Sequence, residues 1–279
     1  MKTKRVIARL DIKNDALVKG IHLEGFRVLG DPASFAKIYY EDGIDEIVYM
    51  DVVASLYKRN GLIELVKKTA KEVFVPLTVG GGIKSLDDVG ALLAAGADRV
   101  CINTAAVQRP ELISEIVEVY GSSTLVIAVE AIKVNGEYMV FTDNGREHTG
   151  IKVSEWVKKI EKLGAGEILL TSVDREGTGK GIDIELIDLV KKAVKISIII
   201  HGGFGSFEDV YNAFQNYNID AACIASLFHY EAINSIKILN KSILGNKSFL
   251  LSNKKKSDLK TITVKNLKDK LKNHKIKIR

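Results

Sequence analysis

The sequence predicts an α/β protein with the closed (β/α)₈ TIM barrel fold. Eight short runs rich in Val, Ile, Leu and Ala recur between residues 6 and 226, and segments with helical spacing separate them. Nearly continuous apolar runs of this length are typical of strands buried on both faces of a parallel sheet. Eight alternations of strand and helix are what a closed barrel requires, whereas an open doubly wound sheet of this length usually has fewer strands.

The predicted strands follow the apolar runs in chain order, and they are VIARLD, EIVYMD, VPLTVG, RVCINT, LVIAVE, EILLTS, ISIIIH and AACIAS. The predicted helices follow segments in which apolar residues recur every three or four positions. They are ASFAKIYYEDG, LIELVKKTAKEV, LDDVGALLAAG, ELISEIVEVYG, VSEWVKKIEKLG, IELIDLVKKAVK and FEDVYNAFQNY. Each of these helices would connect two neighbouring parallel strands of the barrel.

The two halves of the predicted barrel repeat each other. GGIKSLDDV begins at Gly81 and GGFGSFEDV begins at Gly202, which is 121 residues later. RVCINT likewise matches AACIAS, and DEIVYM matches GEILLT with Glu46 over Glu167. Three matches at one period predict two half-barrels related by a pseudo-twofold axis. A binding element in one half should therefore have a counterpart across the barrel mouth.

Composition excludes several classes of protein. The chain has 46% hydrophobic and 27% charged residues, which excludes a disordered or collagen-like chain. No apolar run reaches the roughly 18 residues of a membrane span, and charges interrupt the first segment, so we expect a cytoplasmic protein. Cys101 and Cys223 lie in apolar runs without CxxC spacing, which predicts buried reduced thiols. We predict no metal and no cofactor.

Charge is concentrated in the last part of the chain. Residues 231–279 hold 14 Lys and Arg against 3 Asp and Glu, while the net charge of the whole chain is +6. We divide the chain into a barrel over 1–234, a Lys/Asn/Ser-rich insertion over 235–262 and a C-terminal helix over 263–279 that packs on or near the barrel. A basic tail can bind nucleic acid or a membrane surface, but no aromatic residues alternate with these lysines. We therefore predict neither a nucleic-acid partner nor a membrane partner.

Acidic residues end two of the predicted strands. Asp11 ends the first strand and Glu130 ends the fifth, and these strands lie opposite each other in an eight-stranded barrel. Active sites of such barrels form at the carboxyl ends of the strands. Two carboxyl groups that face one cavity in different surroundings can divide general acid and general base catalysis. Asp11 and Glu130 are therefore the candidate catalytic residues.

Glycine and small polar residues at other strand ends predict phosphate binding, because they expose backbone N–H groups near helix N-termini. One cluster comprises Gly82, Asn103 and Thr104; the other comprises Gly177, Gly203, Ala225 and Ser226. Further candidate substrate-binding residues on this rim are Asp51, Thr171, Glu176, His201 and Gly202. The symmetric pair of clusters predicts a ligand with a phosphate at each end. Neither GxGxxG nor GxxxxGK[ST] occurs, which excludes dinucleotide and P-loop sites.

Charged residues begin four of the predicted strands. They are Arg5, Glu46, Arg99 and Glu167, and they alternate in sign. These positions lie at the barrel floor, opposite the catalytic face. Unpaired buried charges would be costly, so we expect a paired ring that closes the floor. Such a ring is either a structural plug or part of a passage for a small polar molecule.

Many segments resemble the cyclase subunit of imidazole glycerol phosphate synthase. The most specific are RVIARLDIKND, VYMDVVASLYKR, LTVGGGIKS, ADRVCINTAAV, GREHTGIKVSEWV and GAGEILLTSVDREGTGKGID, and the similarity covers residues 1 to 232. The resemblance implies a lyase that needs no cofactor and forms a heterodimer with a glutaminase. It implies that ammonia passes through the barrel to a bisphosphorylated formimino aminoimidazole carboxamide ribonucleotide, and that the product is imidazole glycerol phosphate.

The resemblance also implies roles for individual residues. Asp11 would be one acid/base group, Lys19 would lie in a mobile loop after the first strand, and Asn103 and Thr104 would hold one phosphate. The charged ring of the floor would be the ammonia gate. Asp98, beside that ring, would face the glutaminase.

Five positions depart from the family pattern. Glu130 and Glu176 replace Asp, His201 replaces Ser, Arg9 replaces Cys, and Arg99 replaces Lys. A glutamate extends its carboxyl by one more bond, and a misplacement of about 1 Å can cost on the order of a hundredfold in rate. The sequence thus leaves two hypotheses open. The chain is either the ammonia-dependent cyclase, or a cyclase-like ammonia conduit that serves a separate enzyme of surface-sugar amidation.

Overall fold

A computed structural model of the chain describes residues 3–53, 60–239, 245–246 and 259–279. Its strands are β1 (Arg5–Lys13), β2 (Ala16–Ile21), β3 (Glu24–Gly30), β4 (Glu46–Asp51), β5 (Leu77–Gly80), β6 (Arg99–Ile102), β7 (Leu125–Val134), β8 (Glu137–Thr142), β9 (Glu147–Lys152), β10 (Glu167–Ser172), β11 (Ser197–His201) and β12 (Ala221–Ile224). Its helices are α1 (Pro32–Glu41), α2 (Asn60–Ala70), α3 (Leu86–Ala94), α4 (Thr104–Gln108), α5 (Glu111–Tyr120), α6 (Val153–Lys162), α7 (Ile184–Ala193), α8 (Phe207–Gln215), α9 (Ser226–Leu239) and α10 (Val264–Asn273).

Eight of these strands form a closed parallel barrel. The order around the barrel is β1, β4, β5, β6, β7, β10, β11 and β12, and β12 pairs with β1. Helices α1, α2, α3, α5, α6, α7 and α8 connect successive barrel strands, and α9 follows the last of them. The predicted (β/α)₈ TIM barrel is confirmed.

Side chains alternate between two environments along each barrel strand, because successive residues of a strand point to opposite faces. On β1, Val6, Ala8 and Leu10 belong to the large core between strands and helices, whereas Ile7 belongs to a separate inner cluster. That inner cluster consists of Ile7, Val48, Met50, Cys101, Val126, Ala128, Leu169, Ile199, Ala221 and Cys223. We call it the inner apolar layer, and it fills the middle of the barrel.

The two half-barrels repeat in structural detail. Ser85 and Ser206 cap α3 and α8 with the same capping box, in which the residue three positions later returns the hydrogen bond. Gly81 and Gly202 have positive φ angles of 108° and 98°, where a side chain would be strained. A Cβ at either position would also lie within 2.6 Å of a backbone carbonyl oxygen of the neighbouring strand end. The predicted twofold repeat therefore extends to turn geometry.

Two antiparallel hairpins extend beyond the predicted elements. β2 and β3 follow β1, and β8 and β9 follow β7, so each half-barrel carries one hairpin after its first strand. Asn135 and Gly136 join β7 to β8 with φ angles of 49° and 87°. This pair is a strong hairpin signal, because a type I′ turn needs positive φ at both central residues.

The C-terminal segment packs on the barrel at the floor. α10 buries Val264, Leu267 and Leu271, and Thr263 caps its N-terminus. The chain then returns to β1, where the Arg279 N–H donates to the Lys4 carbonyl at 3.1 Å. α9 runs to Leu239, past the predicted barrel boundary at 234. Residues 240–244 and 247–258 of the predicted insertion lie outside the described residues. No helix in the described ranges is long and apolar enough to cross a membrane.

Candidate functional site

A layer of polar side chains lies above the inner apolar layer, at the carboxyl ends of the barrel strands. β1 contributes Arg9 and Asp11, β7 contributes Glu130, and β10 and β11 contribute Thr171 and His201. All five are buried. Strand alternation places them on the same inward face as the apolar layer below. The structure thus brings together both predicted catalytic carboxylates and two predicted substrate-binding residues.

Arg9 is paired with the first of these carboxylates. Its Nε donates to Asp11 Oδ1 at 2.8 Å, and its Nη1 donates to Thr171 Oγ1 at 3.4 Å. Both ionic side chains are about 1% exposed. Burial by itself raises the pKa of Asp11, but the charges of Arg9 and Lys19 outweigh it and hold the pKa below its ordinary value. Asp11 is therefore ionised at neutral pH.

Glu130 has the opposite electrostatic setting. Burial raises its pKa to about 7, against the lowering effects of the Arg9 charge and of the Gly145 N–H, which donates to Glu130 Oε2 at 2.8 Å. One carboxylate is thus held ionised and the other is held close to half protonated at neutral pH. This difference is what divided acid and base roles require.

The two carboxylates differ in how they lie at the mouth, since Glu130 lines a cavity and Asp11 is buried against Arg9. A cavity of about 180 Å³ opens at the mouth beside Glu130. Asp11 is absent from the lining of this cavity, and its Oδ1 accepts from Arg9 Nε at 2.8 Å.

The first predicted phosphate cluster lines this cavity. The lining includes Asp51, Gly82, Asn103 and Thr104 together with Glu130. Asn103 Nδ2 donates to the Phe141 carbonyl at 3.2 Å, and its Oδ1 is buried without a protein partner among the described residues. The hydrogen bond to β8 therefore holds the Asn103 side chain at the edge of the cavity.

The second predicted phosphate cluster lies under the hairpin β2–β3. Gly177, Gly202, Gly203, Ala225 and Ser226 are all buried. The backbone at Gly177 lies close to β2 of this hairpin, since a Cβ on Gly177 would lie 2.6 Å from the Gly20 carbonyl oxygen. These residues are thus buried, and Gly177 is in close contact with the hairpin.

An ion pair holds this hairpin on the barrel. Lys19 lies on β2 and not in a free loop, and its Nζ donates to Glu176 Oε1 in the β10–α7 connection. Glu176 Oε2 also accepts from the Leu23 N–H at 3.0 Å, and the Glu176 carbonyl accepts from the His22 N–H at 3.0 Å. Both ionic side chains are almost completely buried, at 2% and 1% exposure. The sequence placed Lys19 in a loop because the β2–β3 hairpin was not predicted.

One ring nitrogen of His201 has no hydrogen-bond partner among the described residues. Its Nδ1 lies 2.8 Å from the Cys223 carbonyl oxygen, so Nδ1 carries the proton and donates. Its buried Nε2 has no protein partner in the described part of the chain. Burial and the neighbouring Arg9 charge lower the pKa of His201 to about 4, so the ring is neutral at physiological pH.

The four predicted floor charges form a closed ring. Arg5 Nη1 donates to Glu46 Oε1 at 2.9 Å, and Arg5 Nη2 also contacts Glu167. Arg99 Nη1 donates to Glu167 Oε2 at 2.6 Å and lies 3.9 Å from Glu46 Oε2. Every member thus contacts both oppositely charged neighbours. Burial raises the pKa of Glu167, but the hydrogen bond and charge of Arg5 outweigh that effect and lower it below its ordinary value.

One residue near the ring was missed by sequence reasoning. The guanidinium of Arg279 lies 3.7 Å from Glu46 Oε1 on the solvent side of the floor. The sequence signal that could have placed Arg279 near the barrel is the alternation of apolar and charged residues just before it, where Ile276 and Ile278 are buried. Asp98 is exposed on the same side, and its Oδ2 accepts from the Leu77 N–H at 2.8 Å.

The two cysteines are buried free thiols, as predicted. Burial raises the pKa of Cys101 to about 12, so it stays protonated and unreactive. Within the described ranges, no group of three or more His, Cys, Asp or Glu side chains is arranged to hold a metal ion.

Comparison with known proteins agrees with this geometry. The family model described as histidine biosynthesis protein matches residues 5–234. A protein named imidazole glycerol phosphate synthase subunit HisF from Legionella pneumophila is 56% identical over 210 residues, which is 75% of this chain and 99% of that protein. HisF of Thermococcus onnurineus is 52% identical over 231 residues, covering 82% and 91% of the two chains. HisF of a Thermotoga species is 47% identical over 234 residues, covering 84% and 92%. The chain therefore belongs to the histidine biosynthesis protein family, together with the HisF subunits of imidazole glycerol phosphate synthase.

Proposed function

We propose that this chain is the cyclase subunit of a glutamine amidotransferase complex and uses ammonia to form imidazole glycerol phosphate in histidine biosynthesis. One observation carries the proposal. A closed charged ring lies at one end of the barrel, acidic residues with separated pKa values lie at the other, and an apolar interior connects them. The relatives are named as subunits of a synthase, which implies a second subunit. That partner is the glutaminase, and it binds at the floor beside Asp98 and Arg279.

In this proposal ammonia enters at the ring formed by Arg5, Glu46, Arg99 and Glu167. It then crosses the inner apolar layer, which cannot hydrogen-bond it and so does not retain it. The apolar layer also disfavours ammonium, because an unpaired charge is costly in such surroundings. Neutral ammonia therefore reaches the mouth in the form that attacks a carbonyl carbon.

The chemistry at the mouth follows from the two acids. The substrate is a bisphosphorylated formimino aminoimidazole carboxamide ribonucleotide, held by the two glycine-containing clusters. Ammonia attacks its ribulosyl carbonyl, whose oxygen leaves as water, and ring closure with cleavage of the formimino C–N bond gives imidazole glycerol phosphate and the aminoimidazole carboxamide ribotide. Ionised Asp11 accepts a proton from the attacking nitrogen, and Glu130, which holds its proton up to about pH 7, donates one.

The test is turnover with an ammonium salt as the nitrogen source. Purified protein should convert the bisphosphorylated substrate without any glutaminase, and Asp11→Asn should lower kcat by about two to four orders of magnitude. Asp188→Asn, at an exposed position on α7, is the matched control and should keep the wild-type rate. Wild-type protein that binds its glutaminase yet forms no product would contradict the proposal.

A second function is favoured by the ion pair at the mouth. Arg9 engages Asp11 in a buried salt bridge, which occupies a carboxylate that the cyclase reaction needs. A chain in which Asp11 is unavailable for proton transfer would carry out no cyclase chemistry and would pass ammonia to a separate enzyme that amidates a surface sugar. The discriminating result is glutamine hydrolysis by the assembled complex that transfers nitrogen to the sugar only when the amidating enzyme is present.

A further inference from the structure

The Arg9 side chain extends across the interior of the barrel. It starts on β1 and its guanidinium reaches Thr171 on β10 at 3.4 Å. β1 and β10 are not neighbours, because β12 and β11 lie between them in the barrel order. A side chain that contacts a strand three positions away must pass over the central space of the barrel rather than along its wall.

The charge of Arg9 acts on groups from most of the other strands. It affects the titration of Cys101 on β6, Glu130 on β7, His201 on β11 and Cys223 on β12. Since these strands surround the barrel, a cation that influences all of them lies close to the barrel axis. Cys101 and Cys223 belong to the inner apolar layer, so Arg9 forms its upper boundary.

Two buried acceptors lie beside this guanidinium without a donor. Arg9 satisfies only Oδ1 of Asp11, and Oδ2 has no protein partner among the residues described. His201 Nε2 is in the same condition, and the charges of Asp11 and Arg9 both act on that ring. A buried acceptor without a donor is unfavourable, so this arrangement favours a small molecule that brings N–H groups. Ammonia is such a molecule.

We propose that Arg9 is a second gate, at the upper end of the barrel interior, in addition to the charged ring of the floor. This inference rests on the proposed passage of ammonia through the barrel. In the closed state the guanidinium holds Asp11 and Thr171 and separates the apolar interior from the mouth. Ammonia that arrives from the floor donates to Asp11 Oδ2 and His201 Nε2 and is held beside the closed gate.

The ligand supplies the force that opens the gate. Glu130 lines the cavity of about 180 Å³ that carries the Gly82 and Asn103 cluster, and the Arg9 charge acts on Glu130. An anionic ligand placed there competes with Asp11 for the guanidinium. An arginine stays charged at all physiological pH values, so the guanidinium itself does not titrate and its position responds to the charge of the ligand. Ammonia is thereby released only when substrate is in place.

The gate is tested first without turnover, by NMR of protein with ¹⁵N-labelled arginine. Comparison with Arg9→Cys assigns the Arg9 Nε–H signal, and cysteine is a residue that the adjoining apolar layer already contains. In the free protein this proton should exchange slowly with solvent, because it is buried and bonded to Asp11. Saturating inorganic phosphate should speed the exchange at least about tenfold. An exchange rate that phosphate leaves unchanged would overturn the gate.

The second test uses the complex with its glutaminase and counts glutamate formed per imidazole glycerol phosphate. The ratio should be close to one in the wild type and should rise at least threefold in Arg9→Cys, because ammonia leaks before substrate is held. Thr171→Val, which removes one contact of the closed guanidinium, should give an intermediate ratio. If Arg9 has only a structural role, Arg9→Cys should lower the rates of glutamate formation and of imidazole glycerol phosphate formation together. The ratio of the two products would then stay at one, and this result would refute the gate. If the wild-type protein forms no product from an ammonium salt, the proposed function is wrong. The effect of phosphate on the exchange rate of the Arg9 Nε–H proton still tests the gate in that case.

Discussion

Substitution of Lys19 by methionine tests how the hairpin β2–β3 is held over the barrel mouth. The substitution keeps the length of the side chain and removes its charge. It leaves Glu176 buried, with the Leu23 N–H as its remaining close donor at 3.0 Å. Breaking a buried ion pair by removing one partner costs about 3–5 kcal/mol. The hairpin can reduce this cost by leaving the barrel, which lets Glu176 reach water.

The expected result is therefore local opening. Amide hydrogens of residues 16–30 should exchange with deuterium about a hundred- to several-thousandfold faster in Lys19→Met, which corresponds to that free energy. The double variant Lys19→Met with Glu176→Gln should recover most of the protection, because no charge is left unpaired. Lys180→Met, at an exposed position nearby, is the control and should not change exchange.

The effect should also depend on pH in a defined direction. Burial raises the pKa of Glu176, but the charges of Lys19 and His201 outweigh it and set the pKa below the ordinary value. A lowered carboxylate pKa stabilises the docked hairpin above the ordinary pKa and loses that stabilisation as the pH falls. The difference between wild type and Lys19→Met should therefore shrink in acid. If the effects of Lys19→Met and Glu176→Gln on amide exchange simply add in the double variant, the two side chains do not stabilise the hairpin as a pair, and the explanation is wrong.

Two further predictions concern stability. Burial raises the pKa of Glu130 to about 7, so the wild type should lose stability as the pH rises. Its free energy of unfolding should fall by about 2–3 kcal/mol relative to that of Glu130→Gln between about pH 5 and about pH 8. A difference between the two proteins that is the same at both pH values would contradict this prediction. Gly202→Ala should cost about 1–3 kcal/mol in urea denaturation, since its Cβ would lie 2.6 Å from the Ser172 carbonyl oxygen at a φ of 98°. Gly25→Ala is the control, because Gly25 also has a positive φ but has no atom within 4 Å of the added Cβ. If both substitutions lower the stability equally, the contact with the Ser172 carbonyl oxygen contributes nothing.

The sequence predicted the barrel because each strand carries its own signal. An apolar run of four to six residues that ends in glycine or a polar residue can be recognised without knowing its neighbours. The floor ring was predictable for the same reason, since Glu46 and Glu167 repeat at the period of the half-barrels. The hairpins were missed because their strands alternate weakly, and β9 has no buried residue.

The arrangement at the mouth could not be predicted to the same depth. Opposed positions for Asp11 and Glu130 follow from strand order, but the position of a long side chain does not. Arg9 reaches Thr171 across the barrel, and whether it can do so depends on how the inward-facing side chains of the other strands pack. Whether two acids share a cavity is decided by such packing. Sequence spacing carries no information about it.

The pairing of Lys4 with Ile278 has a practical meaning for experiments on this protein. It brings the first and last described segments of the chain to the same side of the barrel, next to Glu46. A molecule immobilised through either end would turn the charged aperture toward the support and the catalytic rim toward the solvent. An assay on protein attached in this way leaves the mouth open to small anions and blocks the floor, where we propose that the glutaminase binds, so the two kinds of binding need differently attached protein.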